Sequence, residues 1–251
     1  MLISVITVTL NPGDLLKATV DSVVSQSSNE LEMVIQDGGS TDGSLEFIGD
    51  HAAIKFLQEP DEGIYDAMNR AIARSTGDYL LFLNAGDCLA SESVIADIAK
   101  LAESGGNPDL IFCDYRNVAN GREIQLPDRL DSISLFRARY CHQAVFFSRE
   151  LFDRLGGYDI SYLIRADLEF LYRCFVRKPL IKVLRNPHRG VLYEGAGYSA
   201  RQDMQSLKAE ELKRIRRKYL PAWKLLLFSL MHEMTFVRLR IWLSRRAASL
   251  K

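Results

Sequence analysis

Short apolar runs separated by polar turns recur through the first half of the chain. Leu2 to Thr9 is β-branched and apolar and breaks at Asn11-Pro12-Gly13. Leu31 to Ile35 runs into Gln36-Asp37-Gly38-Gly39-Ser40-Thr41-Asp42-Gly43, and a third run lies near Ile54 to Leu57. Tyr79 to Leu83 is apolar or aromatic without alternation and stops at Asn84-Ala85-Gly86-Asp87. Unbroken runs of this kind suit strands buried on both faces of a parallel sheet. Between them the spacing turns helical: Leu16, Val20, Val23 and Val24, then a short helix after Gly43, then Ile64, Met68, Ala71 and Ile72. In that third helix Tyr65, Asp66, Asn69 and Arg70 fall on the polar side. Strands alternating with helices predict βαβ units. Further along, Asp109 to Tyr115 reads as a strand with a hairpin-like turn at Asn117 to Gly121. Cys141 to Phe147 reads as a strand with His142 and Gln143 at its start. A helix opens in Ile164 to Phe170, and Leu180 to Leu184 is a late strand.

Composition adds little to this picture. In 251 residues, 47% apolar and 25% charged content is that of a globular chain with core enough for one large domain, or a domain with an appendage. Charge adds an asymmetry. The formal net charge is zero, yet residues 201–251 hold 13 Lys/Arg against 4 Asp/Glu, leaving residues 1–200 with 19 against 28. An acidic body with a basic tail points to an anionic surface as partner. Cys88, Cys113, Cys141 and Cys174 are far apart, with neither zinc-site spacing nor a disulfide framework, and are expected as free thiols of a reducing cytoplasm. Met1 to Val8 lacks the basic start of a signal peptide, and Leu225 to His232 falls short of the roughly 20 residues of a membrane span.

The turns at the strand ends carry the candidate chemistry, because open α/β sheets bind ligands there. Thr9-Leu10-Asn11-Pro12-Gly13-Asp14 has one glycine, so it is no G-x-G-x-x-G, and no G-x-x-x-x-G-K-[ST] occurs. A phosphate would need a metal or basic side chains. Asp87 can hold a hard divalent cation, or it can cap the next helix. Asp37, backed by Gly38 and Gly39, can accept from a nucleobase N–H, while an Asx-turn suits Asp42 better than Asp37. Asp66 and Arg70 make an i,i+4 surface pair, or Arg70 reaches a diphosphate; the residues leave both open. His142 is either a hydrogen-bonded histidine at a strand end or part of a site. Asp167 and Glu169, two apart on a helix, cannot both face one cleft, and Asp167 also suits the helix dipole.

Taken together, Thr9-x-Asn11 after a strand, Asp37 to Gly43, Asp61-Glu62-Gly63-Ile64-Tyr65-Asp66-Ala67-Met68-Asn69, and Gly77-Asp78-Tyr79 leading to Asn84-Ala85-Gly86-Asp87 resemble a family 2 glycosyltransferase. The match is specific over residues 1–90 and weaker to about residue 200. The Gly63-to-Asn69 wording resembles bacterial enzymes of exopolysaccharide, colanic-acid-like or lipopolysaccharide assembly. The resemblance implies a GT-A fold, an α/β Rossmann-like and mostly parallel sheet flanked by helices, over residues 1–200. It also implies a nucleotide-sugar donor (UDP- or GDP-linked), a divalent metal (Mg or Mn), and inverting transfer to a hydroxyl of a glycan or lipid-linked acceptor. By position, Thr9, Asn11 and Asp37 would bind the nucleoside, with Tyr65, Asn69 and Arg70 beside them. Asp87 would meet the metal, His142 and Gln143 would lie near the acceptor, and Asp167 would be the general base, removing the acceptor's proton. In related folds a loop downstream of the base closes over the donor, which would bring His188 or Arg189 to the diphosphate. One departure stands out. Where relatives often show two or three acids, this motif offers Asn84 and Asp87 alone, so the metal is expected to bind weakly and to arrive with the donor diphosphate.

Residues 201–251 are expected as a basic amphipathic helical tail. Trp223, Leu227, Leu230, Met234, Val237 and Ile241 form one apolar stripe, and Arg217, Lys224, Arg238 and Arg245 lie at multiples of seven on another face. Such a helix fits the anionic inner face of a plasma membrane, making the chain cytoplasmic and peripheral. The alternative is packing on the catalytic domain or on a second copy in a homo-oligomer. A sugar nucleotidyltransferase would carry a Gly- and basic-rich loop near the first strand, absent here. A non-catalytic nucleotide-sugar-binding subunit fits the thinned acid motif, and no nucleic-acid module is recognisable.

Overall fold

The computed structural model describes residues 1–48, 53–126, 141–177, 181–195 and 202–221. The apolar runs form strands: β1 (Ile3–Thr9), β2 (Leu31–Asp37), β3 (Ile54–Gln58) and β4 (Tyr79–Phe82) pair in parallel in the order β3-β2-β1-β4. Val5, Ile6, Met33, Val34, Ile35, Leu80, Leu81 and Phe82 are no more than 1% exposed, as strands covered on both faces require. The helical spacings form α1 (Leu15–Val24) and α2 (Ile64–Arg74). The short helix expected after Gly43 is absent, and residues 44–47 make turns instead.

After β5 (Cys88–Leu89) and α3 (Val94–Ser104), the sheet continues through β6 (Leu110–Asn117), β7 (Arg122–Ile124), β8 (Val145–Ser148) and β9 (Val183–Tyr193). Two short helices, α4 (Arg149–Leu155) and α5 (Ala166–Arg177), lie between the last two strands in the chain. The full order is β3-β2-β1-β4-β8-β6-β9-β5, with β7 paired to β6 as the expected hairpin. β8 runs antiparallel to both β4 and β6, so the sheet is mixed. Asn186 to Gly190, expected as a loop, belongs to β9. The register jumps from Cys113↔Asn186 to Asp114↔Arg189, so Pro187 and His188 sit in a bulge, where a strand tolerates proline. Likewise His142 and Gln143 open β8 from a 3₁₀ turn, His142–Ala144, rather than from the strand itself.

The chain divides into two compact units, Met1–Gln205 and Ser206–Lys251. The described part of the second is residues 206–221, which hold all but the first residue of helix α6 (Gln205–Tyr219). The apolar stripe from Trp223 to Ile241 lies outside the described residues. Among the described residues, no helix is long and apolar enough to cross a membrane, and all four cysteines are free thiols.

Candidate active site

The strand order reverses at β1: the chain crosses to β2 and β3 on one side and returns to β4 on the other. The carboxyl ends of β1, β2 and β4 therefore open one crevice, where α/β sheets bind ligands. Thr9 and Asp37 face each other in register across it. The loops beyond them are stitched together. Gly38 N–H donates to the Thr9 carbonyl (2.9 Å), Asn11 N–H to Ser40 Oγ (2.7 Å), and Thr41 N–H to Asn11 Oδ1 (2.9 Å). Asn11 adopts φ 49°, a left-handed conformation that asparagine tolerates better than most residues. Asp37 is fully buried and accepts from Gly39 N–H (2.9 Å), Ser40 N–H (2.7 Å) and Gln58 Nε2 (3.1 Å). The Asx-turn expected chiefly of Asp42 is thus made by both acids, since Asp42 Oδ1 accepts from Ser44 N–H at 3.1 Å. Thr9 Oγ1 is buried without a hydrogen-bond partner, a polar atom left for a ligand at the strand end.

Asp87 lies beyond β4 in a turn closed by its own N–H on the Asn84 carbonyl (3.0 Å) and eased by Gly86 at φ 96°. It is 2% exposed. The chain returns to it from β9, where Glu194 N–H donates to Asp87 Oδ1 at 2.8 Å. Burial pushes the Asp87 pKa up to about 6, against hydrogen bonds from Glu194 N–H and the Gln143 side chain. Gln143 in turn accepts the Cys141 thiol at Oε1 (2.6 Å). An acid this buried is a natural partner for a cation. Among the described residues no three His, Cys, Asp or Glu side chains cluster to hold a metal alone. One carboxylate completed by substrate phosphates is nonetheless how hard divalent ions often bind, so the donor set fits.

The second carboxylate comes from the first turn of α5. Asp167 Oδ2 accepts from His142 Nδ1 at 2.9 Å, and Asp167 Oδ1 lies 3.0 Å from the Tyr65 hydroxyl. Burial would raise the Asp167 pKa, but the pull of His142, the Leu168 N–H and the Tyr65 hydroxyl outweigh it and hold it below its usual value. Glu169 points elsewhere: 1% exposed, it pairs with Arg173 at 2.7 Å. The two acids thus face different partners, Asp167 toward His142 and Glu169 toward Arg173.

Tyr65 corrects the helix reading. It is 6% exposed and Ile64 is 37% exposed, so the buried stripe keeps Met68, Ala71 and Ile72 as expected but takes in Tyr65 instead of Ile64. The reason is tertiary: the Tyr65 ring packs on Tyr158 with centroids 5.4 Å apart, and its hydroxyl donates toward the Ile164 carbonyl (2.7 Å). Asn69 is also engaged. Its Nδ2 donates to the Tyr158 carbonyl (2.9 Å) and its Oδ1 accepts Tyr158 N–H (2.8 Å), so it holds the loop after α4. Arg70 pairs with Asp66 (2.9 Å) and donates to the Pro60 carbonyl (2.9 Å), the surface-pair alternative. Arg189 pairs with Glu123 across the sheet (2.7 Å), away from the diphosphate role expected of a closing loop. Sequence reading missed Glu194, which no motif marks, and the Cys141–Gln143 contact.

A profile described as glycosyl transferase family 2 matches residues 4–156. A PGL/p-HBAD biosynthesis glycosyltransferase of Mycobacterium tuberculosis is 36% identical over 189 residues, 71% of each chain. Among solved structures, TarS 1-349 of S. aureus superposes with TM-score 0.66 at 18% identity, covering 78% of this chain and 61% of that one. TarS has also been solved with UDP and with UDP-GlcNAc. Mannosyltransferase PcManGT of Pyrobaculum calidifontis, in complex with GDP-Man and Mn²⁺, superposes with TM-score 0.66 at 20% identity, covering 86% of this chain and 63% of that one. The chain thus spans less than two thirds of either solved structure, and at these identities the likeness speaks for a GT-A-like fold.

Proposed function

Because this chain belongs to glycosyl transferase family 2, we propose that it moves a sugar from a nucleoside-diphosphate donor to a hydroxyl of a glycan acceptor, with inversion. The observation that carries this reading is one 3₁₀ turn serving two carboxylates. His142 holds Asp167, and its neighbour Gln143 holds Asp87. Two acids flanking one turn suit a reaction in which charge leaves at one end while a proton leaves at the other.

The donor's nucleoside lies along the β1 and β2 ends, beside Thr9, whose Oγ1 has no partner, and against the loop that Asn11 and the buried Asp37 brace. Its diphosphate lies toward Asp87. A bound divalent ion (Mg or Mn), held by Asp87 and the diphosphate oxygens, would offset the charge on the departing nucleoside diphosphate. The acceptor hydroxyl gives up its proton at the Asp167–His142 pair as its oxygen attacks the anomeric carbon from the face opposite the leaving group. Tyr65 buttresses Asp167. Catalysis belongs to residues 1–200. The basic residues of 201–251 hold the enzyme at the anionic inner face of the membrane, beside a lipid-linked acceptor.

A donor screen tests this: nucleotide release from UDP- and GDP-sugars with Mg²⁺ or Mn²⁺ and with EDTA, beside Asp87→Ala. Metal-dependent release from one donor, reduced by at least about 10²-fold in the variant, is the expected result. Calorimetry with UDP and GDP completes the test, and failure to bind either would end the proposal. Binding without turnover, indifferent to Asp167→Asn, would instead mark a non-catalytic nucleotide-sugar-binding subunit.

A further inference from the structure

We propose that the Tyr65 hydroxyl is a hydrogen-bond switch on Asp167: it lends its one hydrogen to the carboxylate while the acceptor site is empty, and turns it to the Ile164 carbonyl when the acceptor hydroxyl arrives. This rests on the glycosyl-transfer reading above, keeps Asp167 as the base and makes Tyr65 its positioning residue. The geometry sets one donor between two acceptors. The phenol oxygen lies 2.7 Å from the Ile164 carbonyl and 3.0 Å from Asp167 Oδ1, and a phenol has a single hydrogen. The ring has no room to slide toward either. It is buried against Tyr158, whose own ring packs on Phe82 and Phe170 with centroids 5.3 and 5.5 Å apart. Only the O–H turns. Distance favours the carbonyl, and charge favours the carboxylate, since hydrogen bonds to an ionised group are roughly twice as strong as neutral ones. Two opposed preferences of this kind are what a switch requires.

Asp167 Oδ2 is tied to His142 Nδ1 at 2.9 Å, so Oδ1, whose neighbour can withdraw, is the oxygen that meets the acceptor hydroxyl. The Asp167 side chain keeps 18% of its surface exposed and is open to that approach. An enclosed carboxylate oxygen without a donor is costly, and in the empty site Tyr65 supplies one. The incoming hydroxyl then takes over that bond, and the phenol hydrogen passes to the Ile164 carbonyl, so every group stays matched in both states. Among the described residues, the ionisable groups around Asp167 are His142 and Cys141 at the 3₁₀ turn, Tyr65 of α2, and Tyr158 after α4. Burial keeps the thiol and both phenols protonated. In the step, the acceptor O–H bond breaks and its proton passes to Asp167 Oδ1. The acceptor oxygen forms the new bond to the anomeric carbon, and the carbon–oxygen bond to the diphosphate breaks with its electron pair. Tyr65 keeps its own proton throughout.

The test compares the full-length wild type with Tyr65→Phe, which removes the hydroxyl and keeps the ring. Transfer from the responding UDP- or GDP-sugar is followed against pH, with octyl glycosides of the common hexoses as acceptors. The acid limb of kcat/KM for the acceptor reports the enzyme awaiting it, and that of kcat reports the filled site. The Tyr65 hydroxyl is one of the bonds that hold the Asp167 carboxyl below its usual range, so its loss raises the proton affinity of the waiting enzyme. In Tyr65→Phe the kcat/KM limb should therefore move up by about one pH unit while the kcat limb stays in place. Plateau kcat should remain within about threefold. Two limbs rising together would mean a donor fixed on Asp167, and two unmoved limbs would mean a phenol held on Ile164 throughout. Either result overturns the switch. Titration of the Asp167 carboxyl by ¹³C NMR needs no acceptor: a midpoint higher in Tyr65→Phe than in wild type is expected, and an unchanged one overturns the proposal. A wild type that binds neither UDP nor GDP would instead bring down the glycosyl-transfer reading, whatever the carboxyl titration shows.

Discussion

Asp87 shows how one side chain can be costly alone and useful with a partner. Burial lifts its pKa from 3.8 to about 6, so the folded protein binds the proton more tightly than the unfolded chain does. Its contribution to stability is therefore greatest below about pH 4 and is lost as pH rises through about 6. A shift of about two units corresponds to roughly 3 kcal/mol at most. Asp87→Asn should accordingly stabilise the metal-free protein at pH 8 by about 1–3 kcal/mol in urea unfolding, the gain vanishing near pH 4. A variant no more stable than wild type at pH 8 would mean that the ionised carboxylate is already compensated. The motif in the sequence located this acid. It could not show the burial, because Gln143 and Glu194 reach Asp87 from distant parts of the chain.

At the level of elements, α2 is where pattern and structure part. Its helical period was legible, and its bounds, Ile64–Arg74, follow the expected span closely. Met68, Ala71 and Ile72 are buried as the pattern predicts, but the burial of Tyr65 was not legible, because Tyr65 is drawn inward by Tyr158, Ile164 and Asp167, more than ninety residues away. Asn69 follows the same logic. Its amide spans the Tyr158 backbone, and a Cβ on Gly157 would collide with Asn69 Oδ1, so loop and helix are fitted to each other. Asn69→Ala should cost about 1–3 kcal/mol in urea unfolding, leaving two buried backbone groups unpaired. If Asn69 only holds the loop, nucleotide Kd should change less than about threefold, whereas a tenfold weakening would return it to the nucleoside site.

On the scale of the whole molecule, charge divides the chain where the compact units do, near residue 205. Reversing three tail charges in the full-length protein, Lys224→Glu, Arg238→Glu and Arg245→Glu, should abolish co-sedimentation with anionic vesicles at low salt. Each basic residue near such a surface contributes about 1 kcal/mol. Nucleotide binding should not change. Sedimentation that ignores both lipid charge and these substitutions would favour packing of the tail on protein instead.

The sequence by itself determined the βαβ alternation, the strand ends at which Thr9, Asp37 and Asp87 sit, and the position of Asp167 in the first turn of a helix. These are local properties, set by hydrophobic period and by the turn chemistry of Asn, Asp and Gly. The tertiary structure alone decided that β8 runs antiparallel between β4 and β6, and that His142 and Gln143 thereby stand between two acids. It also gave Arg70 and Arg189 to ion pairs. Pairing direction and side-chain partnership are settled by what burial costs when polar groups go unmatched, and the matching groups lie more than a hundred residues apart.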